Sequence, residues 1–198
     1  MEFLPPFRFG LLNGWLLPAT FYLIFGLMLL VFPRQVVRRL YDLPKHTGRI
    51  KALWIIGRLI AFILIFGLLV ALPLKIGEPV FALGIVVYLL GLSMITWALI
   101  TYRYTPLDQP VVDGLYRVSR NPQALGLMFI ILGACLAVGS WLAVLMWAGM
   151  SALYHIRIVG EERLCLEQYG DSYRAYMAQV PRYFLFFDLN DSQLGMGS

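Results

Sequence analysis

Charge is missing from this chain over distances that fix its solvent. Residues 11–32 hold no Asp, Glu, Lys or Arg, residues 52–74 hold only Arg58, and residues 80–101 and 121–154 hold none. A hydrocarbon layer of about 30 Å is crossed by about 20 apolar residues of helix, and in lipid only a helix or a closed barrel satisfies its own backbone donors and acceptors. With 60% hydrophobic and 14% charged residues and a mean hydropathy of +0.75, such a chain does not close into a soluble globule. The stretch 121–154 would reach about 51 Å as one helix at 1.5 Å per residue, too long for one crossing. Its most turn-prone point is Gly139 and Ser140, so it reads as a hairpin of two spans. The expected fold is all-α and integral to the membrane. It comprises one domain of five transmembrane helices, at 11–32, 52–74, 80–101, 123–138 and 141–158, with a cytoplasmic C-terminal helical segment.

Basic residues orient these spans, because an excess of Lys and Arg marks cytoplasmic loops. Arg34, Arg38, Arg39, Lys45, Arg49 and Lys51 lie between the first two spans. Arg103, Arg117 and Arg120 precede the fourth, and Arg163, Arg174 and Arg182 follow the last; the other side has Arg8 and Lys75. The N-terminus is expected outside and the C-terminus in the cytoplasm, without a cleavable signal peptide, since residues 1–6 offer no basic region. The net charge of +5 then reads as this bias plus contact with anionic headgroups of the bilayer, not as nucleic-acid binding. Residues 34–43 interleave Val36, Val37, Leu40 and Tyr41 with arginines, as a helix lying in the interface does. Cys135, inside a span, and Cys165, in the tail, are placed too differently to pair, and residues 189–198 read as an unstructured end.

Polar and turn-forming residues crowd into two cytoplasmic segments, 102–122 and 154–183, which the hairpin of the last two spans brings together. The first contains Pro106, Pro110, Asp113 and Gly114 and so reads as an irregular loop. It ends at Asn121 and Pro122, a helix-start signature in which the Asn side chain caps a backbone N–H and proline needs no donor. That start, with Arg117 and Arg120 nearby, also offers donors and positive potential to an anionic ligand. In the second segment Arg157 and Glu161 stand four residues apart on one helix face together with Tyr154, and Glu162 is one position round. They read either as a solvated ion pair or as functional groups at the membrane boundary. Gly170 stops that helix, and Asp171 or Ser172 can cap a short amphipathic one ending before Val180 and Pro181. Tyr169, Tyr173 and Tyr176 recur at helical spacing and are expected mainly against the bilayer interface, with a ligand wall as the alternative. There is no HExxH, CxxC, GxSxG or P-loop lysine. The only histidines are His46 and His155, too few for a histidine-built metal site, and no metal is expected.

Taken together, Gly114, Leu115 and Tyr116, then Arg120, Asn121 and Pro122, Gly126, Glu161 and Glu162 with Leu164, Tyr169 and Gly170, Tyr173, Tyr176, and Val180 to Arg182 resemble the isoprenylcysteine carboxyl methyltransferase family and its relatives, which include phospholipid methyltransferases. The resemblance covers about the last hundred residues. It implies a helical membrane enzyme that uses S-adenosylmethionine, releases S-adenosylhomocysteine and methylates a lipophilic or prenylated acceptor. Carried over by position, it puts Gln109, Val111, Leu115 and Tyr116 in a cofactor wall and Asn121 and Pro122 at the helix start facing it. Tyr154, Glu161 and Glu162 become cofactor contacts, with Glu161 on the methionine amino group. Arg157 orients the acceptor carboxylate and forms, with Glu161, the expected catalytic pair. Two positions depart from the family pattern: Asn121 replaces a histidine and Ala124 an aromatic. Asparagine does not titrate near neutral pH, so an already ionised carboxylate is the expected acceptor. The alternatives are a nicotinamide-dependent membrane reductase, since sterol reductases resemble the same C-terminal motifs, and a non-enzymatic scaffold.

Overall fold

The computed structural model describes residues 1–41 and 49–183, with the side chains of 49–55 and Arg58 outside the description. The expected unstructured end at 189–198 lies beyond the described residues. Among these, the chain is helical and carries no strand. The helices are α1 (Leu16–Val31), α2 (Arg34–Tyr41), α3 (Arg49–Ala71), α4 (Pro79–Tyr104), α5 (Pro122–Ala137), α6 (Trp141–Tyr169) and α7 (Asp171–Gln179), with a single 3₁₀ turn at Gly114–Arg117. By length and composition α4 and α6 can each cross a membrane, and α1, Leu59–Ala71 of α3, and α5 are shorter apolar helices. Large apolar side chains such as Leu30, Ile63, Leu64, Val86 and Leu89 are exposed on their outer faces, as helices solvated by lipid require.

Local chemistry sets most of the helix ends. Pro79 and Pro122 occupy first-turn positions, where a missing N–H costs nothing. Thr105, next to Pro106, is extended and ends α4. Gly139 turns the α5–α6 hairpin with φ +67, and the Ser140 hydroxyl then accepts from the Ala143 N–H at 3.3 Å to cap α6. That hairpin follows the expected division. Other boundaries differ. The helix of the first span begins at Leu16 rather than at 11, because Asn13 is 2% exposed and spends its amide on the Arg8 and Val70 carbonyls at 2.5 and 2.7 Å. α3 runs 49–71 rather than 52–74, ending just before Leu72 and Pro73. α6 continues past 158 to Tyr169; at about 44 Å it outreaches a hydrocarbon layer of about 30 Å, so its last turns stand clear as a platform.

α4 and α5 form the tightest pair in the bundle. Gly84 faces Gly133 and Gly91 faces Gly126 in antiparallel register, and a Cβ on Gly133 would lie 2.5 Å from the Tyr88 nitrogen and 2.6 Å from the Gly84 oxygen. Small residues repeated along facing helices let backbones approach this closely. Around this pair, Phe21 of α1, Phe32, Val36 of α2, Tyr88, Ile95 and Leu99 of α4 and Ile130 of α5 make one buried cluster. Leu69, Leu72, Ala134 and Val138 make a second, toward the α3–α4 turn.

At that end the N-terminal segment lies across the helix termini. The Arg8 N–H donates to Ala71 O, the Glu2 N–H to Gly139 O and the Trp141 N–H to Glu2 O, each at 2.9 Å, so carbonyls that α3 leaves without a helical partner are answered. Lys75 closes this end with a 2.7 Å ion pair to Glu2. The polar segments 102–122 and 154–183 gather at the opposite end.

Candidate active site

Loop 105–113 and the turn after it position the first set of predicted residues. Gly114 takes φ +60, and a Cβ there would sit 2.7 Å from the Thr101 hydroxyl oxygen, so only glycine lets the turn dock on α4. The turn buries Tyr116 among Ala98, Val111, Tyr173, Tyr176 and Val180. Tyr116 is tied at both ends: the Tyr176 hydroxyl donates to its carbonyl at 2.6 Å, and the Gln123 side-chain amide donates to its hydroxyl at 2.8 Å. Of the predicted wall, Val111 and Tyr116 are buried, Leu115 is half-buried and Gln109 is exposed. Tyr173 and Tyr176 meet at a tilt with ring centres 5.6 Å apart inside this cluster, so the expectation that they lie against the bilayer interface is corrected: α7 folds back onto the turn and buries them. Tyr169 is half-buried and hydrogen-bonded to Arg39. Neither Asp171 nor Ser172 caps α7. Gly170 holds that position with φ 55, Ser172 donates back to Tyr169 O, and Asp171 pairs with Arg174.

The start of α5 meets α6 through a buried carboxylate. Glu162 is 3% exposed. Its Oε1 accepts from Asn121 Nδ2 at 2.8 Å and lies 3.4 Å from Arg120 Nε, and its Oε2 accepts from Arg182 Nε at 2.9 Å. Ser119 Oγ donates to Arg182 O, and the Arg120 N–H donates to Pro181 O at 3.0 Å, so the segment after α7 is stitched to the residues before α5. Asn121 does occupy the cap position and Pro122 the buried first-turn position, but the Asn121 side chain makes no capping bond; the Glu162 carboxylate is the stronger acceptor, and Asn121 turns to it. Arg120 is enclosed by the same carboxylate, while Arg117 points outward and pairs with Asp113, both mostly exposed. Both arginines expected at this helix start therefore lie beside a carboxylate of the protein itself.

One step round α6, the second predicted group is open. Arg157 Nε donates to Glu161 Oε1 at 2.6 Å, the two side chains are 33% and 35% exposed, and the guanidinium lies 5.3 Å from the Tyr154 ring centre. Glu161 and Glu162 thus divide the work by rotation: Glu162 faces inward to the tie, and Glu161 stays on the accessible side with Arg157 and Tyr154. Burial pushes the Tyr116, Tyr173 and Tyr176 phenols well above their ordinary range, so they remain protonated hydrogen-bond donors near neutrality. Burial likewise raises the Cys165 thiol to about 11. His155, also on α6, pairs its Nδ1 with the Tyr183 hydroxyl at 2.8 Å.

Sequence reasoning did not assign roles to Ser119, Gln123, Arg182 or Arg39. Arg182 stood in the motif, but nothing in its spacing pointed to Glu162, twenty residues earlier.

The model of one protein family, described as phospholipid methyltransferase, matches residues 72–172, just over half of the chain. The match runs from just after α3 through α6 into α7 and takes in the loop, Arg120, Asn121 and Glu162 of the buried tie and the Arg157–Glu161 pair, while Arg182 lies beyond it. None of the curated proteins compared with the chain matches it.

Proposed function

The chain belongs to the phospholipid methyltransferase family, and from that premise we propose that it is an S-adenosylmethionine-dependent methyltransferase with five spans, α1, α3, α4, α5 and α6, acting at the cytoplasmic face on a lipophilic carboxylate. The observation that carries this reading is the Arg157–Glu161 pair, close at 2.6 Å and about one-third exposed, on the α6 platform beside the buried tie. The residues suit the cofactor. Glu161 offers a carboxylate to the cofactor's ammonium group and Tyr154 an aromatic face to its sulfonium, with Arg157 beside them for the acceptor, all within two turns of α6; cation–π attraction of this kind is worth roughly 0.5–2 kcal/mol. When bound, the cofactor supplies an electrophilic methyl group.

In this reading Glu161 and Tyr154 hold the cofactor's amino-acid end, and Gln109, Val111, Leu115 and Tyr116 form its wall beside Asn121 and Pro122. Arg157 holds the acceptor carboxylate. Glu162 acts on the site through Asn121, since its own oxygens are taken. A carboxylate is ionised at neutral pH and needs no general base, which suits a site with asparagine at 121 and tyrosines kept protonated. Positioning and electrostatics then supply the acceleration. The lipid tail enters laterally from the bilayer, and the cofactor enters from water.

A second reading, a phospholipid amine as acceptor, is favoured by the family's description and would need a base; His155, held by Tyr183, is the histidine on α6 that could supply one.

The test is calorimetric titration of detergent-purified protein with S-adenosylhomocysteine, with NADPH as control, followed by radiolabelled methyl transfer to a farnesyl thioether carboxylate and to phosphatidylethanolamine vesicles. Saturable S-adenosylhomocysteine binding weakened about tenfold in Glu161→Ala (1.4 kcal/mol), with label on the carboxylate, is the expected result. Label on phosphatidylethanolamine selects the second reading. Binding of NADPH alone identifies a reductase, and binding of neither to folded protein rejects enzymatic methyl transfer.

A further inference from the structure

Arg39 is the one arginine of α2 turned into the protein. Val36 is buried, and Val37 and Leu40 pack on the cluster around Phe32 and Leu99, while Arg34 and Arg38 are exposed on the outer side. Arg39 reaches the other way. Its Nη1 donates to Pro106 O at 3.0 Å, and its Nη2 donates to Gln109 O at 2.6 Å and to the Tyr169 hydroxyl at 3.1 Å. Its guanidinium carbon lies 4.9 Å from the Tyr102 ring centre. One side chain therefore joins α2, the end of α4, the loop after it and the last residue of α6.

The physical need is in the loop. Pro106 and Pro110 remove two donors from it; within the loop the Gln109 N–H donates to Pro106 O at 3.4 Å, and Arg39 adds a second donor to that carbonyl and one to Gln109 O. A planar guanidinium can donate to two carbonyls and a phenol at once while stacking on an aromatic ring; a lysine ammonium has neither the plane nor the fork. The loop leads directly into Val111 and the buried Tyr116. Resting on the methyltransferase reading, we propose that Arg39 is a positioning residue. It holds 106–109 in place so that Gln109 and Val111 form a preorganised side of the cofactor site, and it makes the helix at the membrane surface part of that site.

The test uses the full chain in lipid nanodiscs, comparing wild type with Arg39→Gln, Arg39→Lys and Tyr169→Phe. Three quantities are read: amide hydrogen exchange over 105–112, S-adenosylhomocysteine affinity and thermal midpoint. Arg39→Gln should speed exchange of the loop amides and weaken S-adenosylhomocysteine about tenfold through lost preorganisation. Arg39→Lys should keep the wild-type midpoint without restoring affinity, and Tyr169→Phe should fall between. Unchanged exchange and affinity in Arg39→Gln overturn the assignment, as does full recovery of affinity by lysine or a lowered midpoint with affinity intact. A wild type that binds no S-adenosylhomocysteine overturns the methyltransferase reading and this role with it; wild-type binding with Arg39→Gln unaffected overturns this role alone.

Discussion

Asn121 donates its side-chain amide to Glu162 at 2.8 Å across 41 residues of sequence, and in doing so fastens the start of α5 to the C-terminal part of α6. The same carboxylate receives Arg182 and lies beside Arg120. A single buried anion thus gathers the segment before α5, α6 and the segment after α7, and leaves Glu161 next to it facing outward.

Removing that anion should be among the most damaging single changes in the chain. Glu162→Ala leaves two buried arginines without their carboxylate, a class of change that costs about 3–5 kcal/mol. Glu162→Gln keeps one acceptor and should cost less. Thermal unfolding in a single detergent ranks the variants, and an alanine variant as stable as wild type would show that the tie is not structural.

Asn121 is needed there as a donor and not as a cap. Asn121→His retains an N–H for Glu162 and should unfold within a few degrees of wild type. Asn121→Leu loses a hydrogen bond to a charged acceptor, worth about 1.5–3 kcal/mol. Equal stability of the two variants would contradict the bond seen between α5 and α6.

The glycine pairs of α4 and α5 predict a contrast within one residue type. A Cβ on Gly133 would meet the Tyr88 and Gly84 backbones at 2.5 and 2.6 Å, whereas one on Gly149 meets nothing within 4 Å. Gly133→Ala should force the helices apart at a cost of about 1–3 kcal/mol. Gly149→Ala should be neutral or mildly stabilising through helix propensity. Midpoints of the two alanine variants, measured side by side, decide it.

Cys165 gives a pH dependence of known sign. Burial first, and the neighbouring carboxylates to a smaller degree, raise its thiol from 9.0 to about 11 in the folded protein. Between those values the unfolded chain has released this proton and the folded chain still holds it, so the stability it contributes below pH 9 is lost as pH rises toward 11. Cys165→Ala should flatten the fall of unfolding free energy across that window, and alkylation of the wild-type thiol by iodoacetamide at pH 8 should be slow. Identical pH slopes for the two proteins would exclude the shift.

Sequence and structure agree most closely where the physics is local. The turn at Gly139 and Ser140, the start at Pro122 and the stop at Gly170 are dihedral and hydrogen-bonding requirements of a few neighbouring residues. Arg157, Glu161 and Tyr154 converge because helical periodicity alone puts them on one face. The inward burial of Tyr173 and Tyr176 was not legible in this way, because a tyrosine stripe looks the same whether lipid or α7's own neighbours cover it.

What the sequence determined by itself is that long uncharged runs become helices solvated by lipid, with their polar residues driven to the ends, because hydrocarbon leaves the backbone no other partners. Only the tertiary structure decided that Gly91 meets Gly126, that Arg39 reaches the loop after α4, and that Glu162 turns inward while Glu161 does not. Those outcomes depend on the rotation and register of one helix against another. Helices apolar on every side carry little record of which face will be turned to a neighbour.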